Sequence, residues 1–228
     1  MVYLLSQLIS GRLGMSDAVI YILSSLVVIF LTLPVHEFAH GLAAVKLGDP
    51  TPRYQGRLTI NPFRHIDYLG AACILLFGFG WAKPVGVNPS NFKNPKRDMA
   101  ITALAGPLSN IIVALIALLL ANVVRLFIAG FASLLIYLHL FLYYVAYINV
   151  SLAVFNLIPI PPLDGSRLLS ALLPNKQYYA LMRYERYIFW GLLALLWLGV
   201  LDIPLDLLTG KVMSFITYIA GLPFAFIK

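Results

Sequence analysis

Charge is scarce in this sequence: Asp, Glu, Lys and Arg make up 11% of 228 residues, where an ordinary soluble domain carries about a quarter. A soluble globule with so few ionised groups could not solvate its surface. With 61% hydrophobic residues and a mean hydropathy of +0.89, the chain reads as a polytopic membrane protein. Cysteine is scarcer still. Cys73 stands alone, which excludes an intrachain disulfide and any cysteine-built metal site. No polar stretch is long enough to fold a soluble core, so residues 1–228 are expected to form a single membrane-embedded unit. Residues 2–13 are apolar but too short to cross and lack a small-residue cleavage site. They are expected to lie at the membrane interface rather than to act as a signal peptide. The formal charge of +7 would suggest nucleic acid in a soluble protein. In a membrane chain the placement of the charges between loops matters more, and no nucleic-acid partner is expected.

A spanning helix needs roughly 20 apolar residues. Segments at about 18–47, 100–124, 131–156 and 187–201 meet or approach that standard, and a weaker one at 207–227 is interrupted by Gly210, Lys211 and Gly221. Residues 68–82, YLGAACILLFGFGWA, form a shorter run that reads as re-entrant or hairpin-like rather than as a crossing. The expected fold is therefore all-α, with about five to six membrane helices and a re-entrant segment between the first and second core helices. The charges support this choice. If 68–82 does not cross, Lys46, Arg53, Arg57, Arg64, Lys83, Lys93, Lys96, Arg97, Arg167, Lys176, Arg183 and Arg186 share one face, leaving Arg12, Arg125 and Lys211 opposite. Cytoplasmic loops carry the Lys/Arg excess, so the basic face is expected to be cytoplasmic in a multi-pass protein of the cell membrane. Residues 49–66 hold three prolines and an alternating RLTI, which predicts a turn-rich excursion with a short hairpin. GWAKPVGV, residues 80–87, predicts an extended edge.

Histidine is also rare, with four in the chain, yet two of them fall in the first apolar segment within LPVHEFAHGL. His36 and His40 are four residues apart, so both imidazoles lie on one face of a helix, one turn above the other. That is the geometry of two ligands to one metal, with Glu37 about 100° round, placed as a general base. The ordinary alternative is hydrogen-bonding to neighbouring helices. It leaves three ionisable groups within five residues of a membrane segment, each costing about 2.5–3.5 kcal/mol when charged at a helix centre. A divalent cation supplies the compensation. A catalytic zinc has three protein ligands and one position for water. The third ligand is sought among His65, His139, Asp49, Asp67, Asp98, Asp164, Glu185, Asp202 and Asp206. NLIPIPPLDG, residues 156–165, breaks a spanning segment with three prolines, a distortion expected around a site, and Asp164 is the choice.

HEFAH on one membrane helix followed by NLIPIPPLDG at the end of a later one resembles the site-2 protease family of intramembrane zinc metalloproteases. ALAGPLSN, residues 103–110, is similar to the small-residue segment that opens the family's intervening helix. GRLTINPFRHID and GWAKPVGVNP resemble its compact prokaryotic branch without PDZ or CBS domains. The resemblance covers about residues 18–168. It implies His36, His40 and Asp164 as ligands of one zinc per chain, Glu37 as base, Asn156 as a substrate-positioning or oxyanion-side group, and a transmembrane protein substrate, in regulated intramembrane proteolysis. Two rival functions are a metal transporter using the same ligands for transit, and a non-catalytic relative that binds membrane helices.

Among the other polar residues, His139 is expected to bond a neighbouring helix, and Asn149 either to line the cavity or to join helices. His65 and Asp67 are expected in local turns or caps. Gly41, Gly48, Ala103, Ala105 and Gly106 are expected at close helix approaches.

Overall fold

A computed structural model describes residues 14–77, 82–128 and 132–226. The expectation for residues 2–13 lies outside them, as do Gly80 and Trp81. The described residues are helical with no strand. Helix α1 (Met15–Lys46) is followed by α2 (Tyr68–Phe77), α3 (Pro95–Arg125), α4 (Ala132–Asn156), α5 (Asp164–Leu172), α6 (Asn175–Arg183), α7 (Glu185–Trp197) and α8 (Asp202–Gly221).

Four helices among the described residues are long and apolar enough to cross a membrane: Met15–Lys46, Pro95–Arg125, Leu134–Asn156 and Asp202–Phe224. The expected crossing at 187–201 is not among them. Gly199, at φ +71°, turns the chain after Trp197, and the resulting α7 has 13 residues. That is about 20 Å at 1.5 Å per residue, short of a hydrocarbon layer. Residues 207–224 of the weaker segment belong instead to the candidate spanning helix Asp202–Phe224, because neither glycine nor lysine breaks an α-helix whose other face is packed. The described part of helix α2 has 10 residues, about 15 Å.

The bundle is built on α3 and α4, which pack along their lengths through Ala114, Ala117, Leu118, Ala146, Val150 and Val154. Alanine at these positions lets the two backbones approach closely. Met213, Ile216 and Ala220 of α8 close the same core. Helix α1 lies against α4 through Val28, Ile29, Leu33, Ile148 and Leu152. In its middle, Val28–Thr32 widen into a π-turn, with the Leu33 N–H reaching Val28 O. Pro34 explains the widening, since it has no N–H and its ring crowds the carbonyl four residues back. The turn immediately precedes the HEFAH face.

The excursion after α1 contains no hairpin. Thr51–Tyr54 and Pro62–His65 are single helical turns, and RLTI is a bend between them. An alternating stretch this short has no partner strand to pair with. Residues 82–88 have no regular secondary structure and form a strap that returns to α1, with Asn88 at its end in an extended conformation. Its amides are taken one by one: Lys83 N–H donates to His65 O (2.7 Å), Gly86 N–H to Gln55 Oε1 (3.1 Å) and Asn88 N–H to Asp49 Oδ2 (2.7 Å).

Asp49 anchors the strap. Besides Asn88, its carboxylate accepts from the Thr51 amide and hydroxyl and the Asn91 amide group. Burial pushes this carboxyl up, but the hydrogen bonds outweigh it and hold it below its ordinary value of 3.8. A carboxylate lowered on folding contributes stability that is present above its unfolded pKa and lost as pH falls through the folded one. Hydrogen-exchange protection at the Asn88 amide is therefore expected to hold from neutral pH down to about 4 and to decay below that. In Asp49→Asn it is expected to be weaker throughout and no longer to change over this acid range.

Candidate metal centre and active site

Helix α1 presents His36 and His40 inward, 4% and 8% exposed. Their ring nitrogens Nε2 lie 3.0 Å apart. The other nitrogen of each ring is held by α3: His36 Nδ1 lies 3.3 Å from Asn110 Oδ1, and His40 Nδ1 lies 2.7 Å from Thr102 O. Both partners are acceptors, so each Nδ1 carries the proton and each Nε2 presents a lone pair. The chain after α4 brings in the third group. Residues 157–163 fold back over the start of α5, where a Cβ on Gly165 would fall 2.3 Å from Leu157 O. Only glycine fits there. This fold-back sets Asp164 on the first turn of α5, with Oδ2 3.2 Å from His36 Nε2 and 3.2 Å from His40 Nε2.

Two lone pairs and a carboxylate oxygen at such distances repel one another unless a cation lies between them. His36, His40 and Asp164 form a group that can hold a metal ion. Donors on a tetrahedral zinc, with Zn–N of about 2.0–2.1 Å, are roughly 3.3 Å apart, close to the spacing found here. The donor set also matches: two imidazoles and one carboxylate, with room for a fourth ligand.

Glu37 stands beside the cluster, 8% exposed. Its Oε2 accepts a hydrogen bond from the Val85 N–H of the strap at 2.9 Å, and Oε1 has no hydrogen bond among the described residues. Asn156 ends α4 half-buried. Among the described residues no hydrogen bond joins it to His36, His40, Asp164 or Glu37.

Helix α3 shapes the pocket by what it omits. A Cβ on Gly106 would lie 2.3 Å from His40 Nε2 and 2.6 Å from His36 Nε2. The expected close approach at Gly106 is thus an approach to the two imidazoles. Asn110, fully buried, escaped the sequence reading because its role depends on α3 crossing α1, and only its place in ALAGPLSN marked it. Imidazole-orienting partners typically matter 10- to 100-fold for metal affinity. Asn110→Ala is expected to weaken zinc binding by about that factor, measured by competition with a chromogenic chelator.

The remaining polar residues sort as follows. His139 Nδ1 donates across to Ala121 O of α3 at 3.0 Å, the interhelical bond expected of it. His65 lies in its turn with Nε2 2.7 Å from Thr59 O, and Asp67 caps α2 through Gly70 N. Asn149 is fully buried and donates to Val145 O of its own helix, with no side-chain hydrogen bond to a neighbouring helix among the described residues. Gly41 packs against Pro52. Gly48 instead ends α1 at φ +110°, a conformation suited to glycine.

Two imidazoles from one membrane-length helix and a carboxylate delivered by a broken later helix define a helical membrane metalloprotein of the H-E-x-x-H class. The comparison with known families agrees. The model of peptidase family M50 matches residues 24–198, and the chain belongs to that family, which includes the site-2 proteases. YwhC of Bacillus subtilis, which carries a provisional zinc-metalloprotease name, is 38% identical over 171 residues, covering 73% of this chain and 75% of YwhC. Rip2 of Mycolicibacterium smegmatis, provisionally named likewise, is 29% identical over 144 residues, 59% of this chain and 51% of Rip2. Zinc metalloprotease MJ0392 of Methanocaldococcus jannaschii is 27% identical over 153 residues, 67% of this chain and 35% of that protein. No solved structure matches.

Proposed function

We propose that this chain is an intramembrane zinc metalloendopeptidase that hydrolyses peptide bonds in or near transmembrane segments of other membrane proteins. The observation that carries the reading is the convergence of His36, His40 and Asp164 within 3.2 Å of one another beside a carboxylate that is not itself a ligand. A zinc ion bound there supplies Lewis acidity, which polarises a carbonyl and acidifies water. Glu37 is held by Val85 with Oε1 free, the arrangement needed to take a proton from water and return it to the leaving amine. Asn156, at the end of α4, is the group we assign to orienting the scissile carbonyl.

A helical substrate hides its carbonyls in its own hydrogen bonds and must unwind before attack. The strap offers it a template. Its described carbonyls, residues 82–87, accept no backbone hydrogen bond among the described residues, so the amides of an unwound segment can pair with them by strand addition. His40 lies six residues before the end of α1, about 9 Å. Water then enters from the side on which Asp164 and most Lys and Arg residues lie, and we assign that side to the cytoplasm of a cell membrane.

The test is reconstitution in liposomes with a single-pass substrate containing a helix-breaking residue. Cleavage is expected to stop on stripping zinc with chelator and to return when zinc is restored. Zinc flux across the liposome without cleavage would favour a transporter instead. Substrate capture without cleavage under all metal conditions would favour a non-catalytic binder.

A further inference from the structure

Helix α8 carries two seams, and the bundle uses only one. Thr209, Met213, Ile216 and Ala220 recur in steps of four and three, and none is more than 4% exposed. They face α3 and α4. Ile203, Leu207, Gly210, Ser214, Thr217 and Gly221 recur with the same alternation on another face. Ile203 is 81% exposed and Leu207 58%, and a Cβ on Gly210 or Gly221 would meet nothing within 4 Å. The Ser214 hydroxyl turns back to Gly210 O at 2.8 Å, satisfying its own polarity. An alternating three-four repeat is the pattern along which two helices supercoil, and small residues in it let membrane helices approach closely.

The flanks of this outer seam are charged. At 100° per residue, Asp206 falls about 70° to one side of the stripe and Lys211 about 70° to the other. Both are exposed. The far end of α8 is tied to the far end of α3 by the Asn122 Nδ2–Ala220 O bond, so α8 starts on the side where Asp164 lies. Lys211 is nine residues into the helix, roughly 14 Å deep, near the middle of a hydrocarbon layer of about 30 Å. Ionised groups at that depth are found paired rather than facing lipid.

We propose that the outer seam of α8 is a homodimer interface, in which a second copy of this chain packs its own α8 in parallel. A two-fold axis along the membrane normal turns the Asp206 flank of one copy against the Lys211 flank of the other, and does so twice. The depths agree as well. Side chains on a helix lean toward its N-terminus, and the long Lys211 side chain leans further than Asp206, closing the five-residue offset. This is the flank pairing of parallel coiled coils. The complement this face requires is an acid and a base either side of a small-residue stripe, and α8 itself supplies it.

The test uses the full chain in lipid bilayers with Cys73→Ser, so that one introduced cysteine reports each position. Oxidation is expected to cross-link copies through Gly210→Cys but not through Phe215→Cys, which lies off the seam and is 64% exposed. Lys211→Asp is expected to weaken dimerisation roughly tenfold, the size of two interhelical polar contacts in a membrane, read by energy transfer between labelled copies. The charge swap Asp206→Lys with Lys211→Asp is expected to restore it. Equal cross-linking at both positions would overturn the proposal. So would unchanged association in Lys211→Asp, or Gly210→Cys joining a co-reconstituted single-pass segment in preference to a second copy.

Discussion

Gly106→Ala is expected to empty the metal centre while leaving the bundle folded. The added methyl would lie 2.3 Å from His40 Nε2 and 2.6 Å from His36 Nε2, far inside van der Waals contact. Neither ring can retreat in place, since Asn110 and the Thr102 carbonyl hold their other nitrogens. Moving α3 outward would open the core that Ala114, Ala117 and Leu118 make with α4. The rings must therefore rotate away from Asp164. Zinc affinity should fall by on the order of 100-fold or more, beyond the ordinary effect of losing one orienting partner. Gly41→Ala is the matched control, because its methyl would meet Pro52 Cβ at 3.4 Å, an ordinary contact. The two variants compared by zinc stoichiometry and thermal unfolding separate a blocked site from an unfolded protein. A Gly106→Ala protein that binds zinc like the wild type would show that α3 does not approach the imidazoles as described.

Glu37→Gln is expected to abolish cleavage with zinc still bound. Glutamine has the same shape, and its carbonyl oxygen can still accept from Val85 N–H, so the strap keeps its attachment. Only the capacity to take a proton is lost. General-base catalysis typically contributes about 10²- to 10⁴-fold, and the cleavage rate should fall by at least that much. The informative comparison is with Asp164→Ala, which should lose both zinc and cleavage. If Glu37→Gln cleaves at the wild-type rate, the proton is handled by another group.

These effects rest on residues of very different visibility in the sequence. His36, Glu37 and His40 were legible because helical periodicity alone fixes their relation, and because three ionisable groups stand out in an apolar segment. Asp164 was legible through the prolines before it, since a broken helix at membrane depth signals a built cavity. Asn110 and the Thr102 carbonyl were not, because they depend on α3 crossing α1 at one particular depth. The crossing expected at 187–201 failed for a related reason. Hydropathy counts apolar residues but does not see where Gly199 ends a helix. RLTI alternated like a strand, yet strands need partners, and the turns at Thr51–Tyr54 and Pro62–His65 left it none. The outer seam of α8 was hidden by the same Gly210 and Lys211 that made the segment look weak, and they acquire meaning only once the packed face is known.

X-ray absorption at the zinc edge on the purified protein tests the metal centre most directly. The expected spectrum is one zinc per chain with only nitrogen and oxygen neighbours at about 2.0–2.1 Å, two of them imidazoles, and no bound zinc in Asp164→Ala. A protein that binds no zinc, or whose zinc environment is the same with and without the Asp164 carboxylate, would contradict the account.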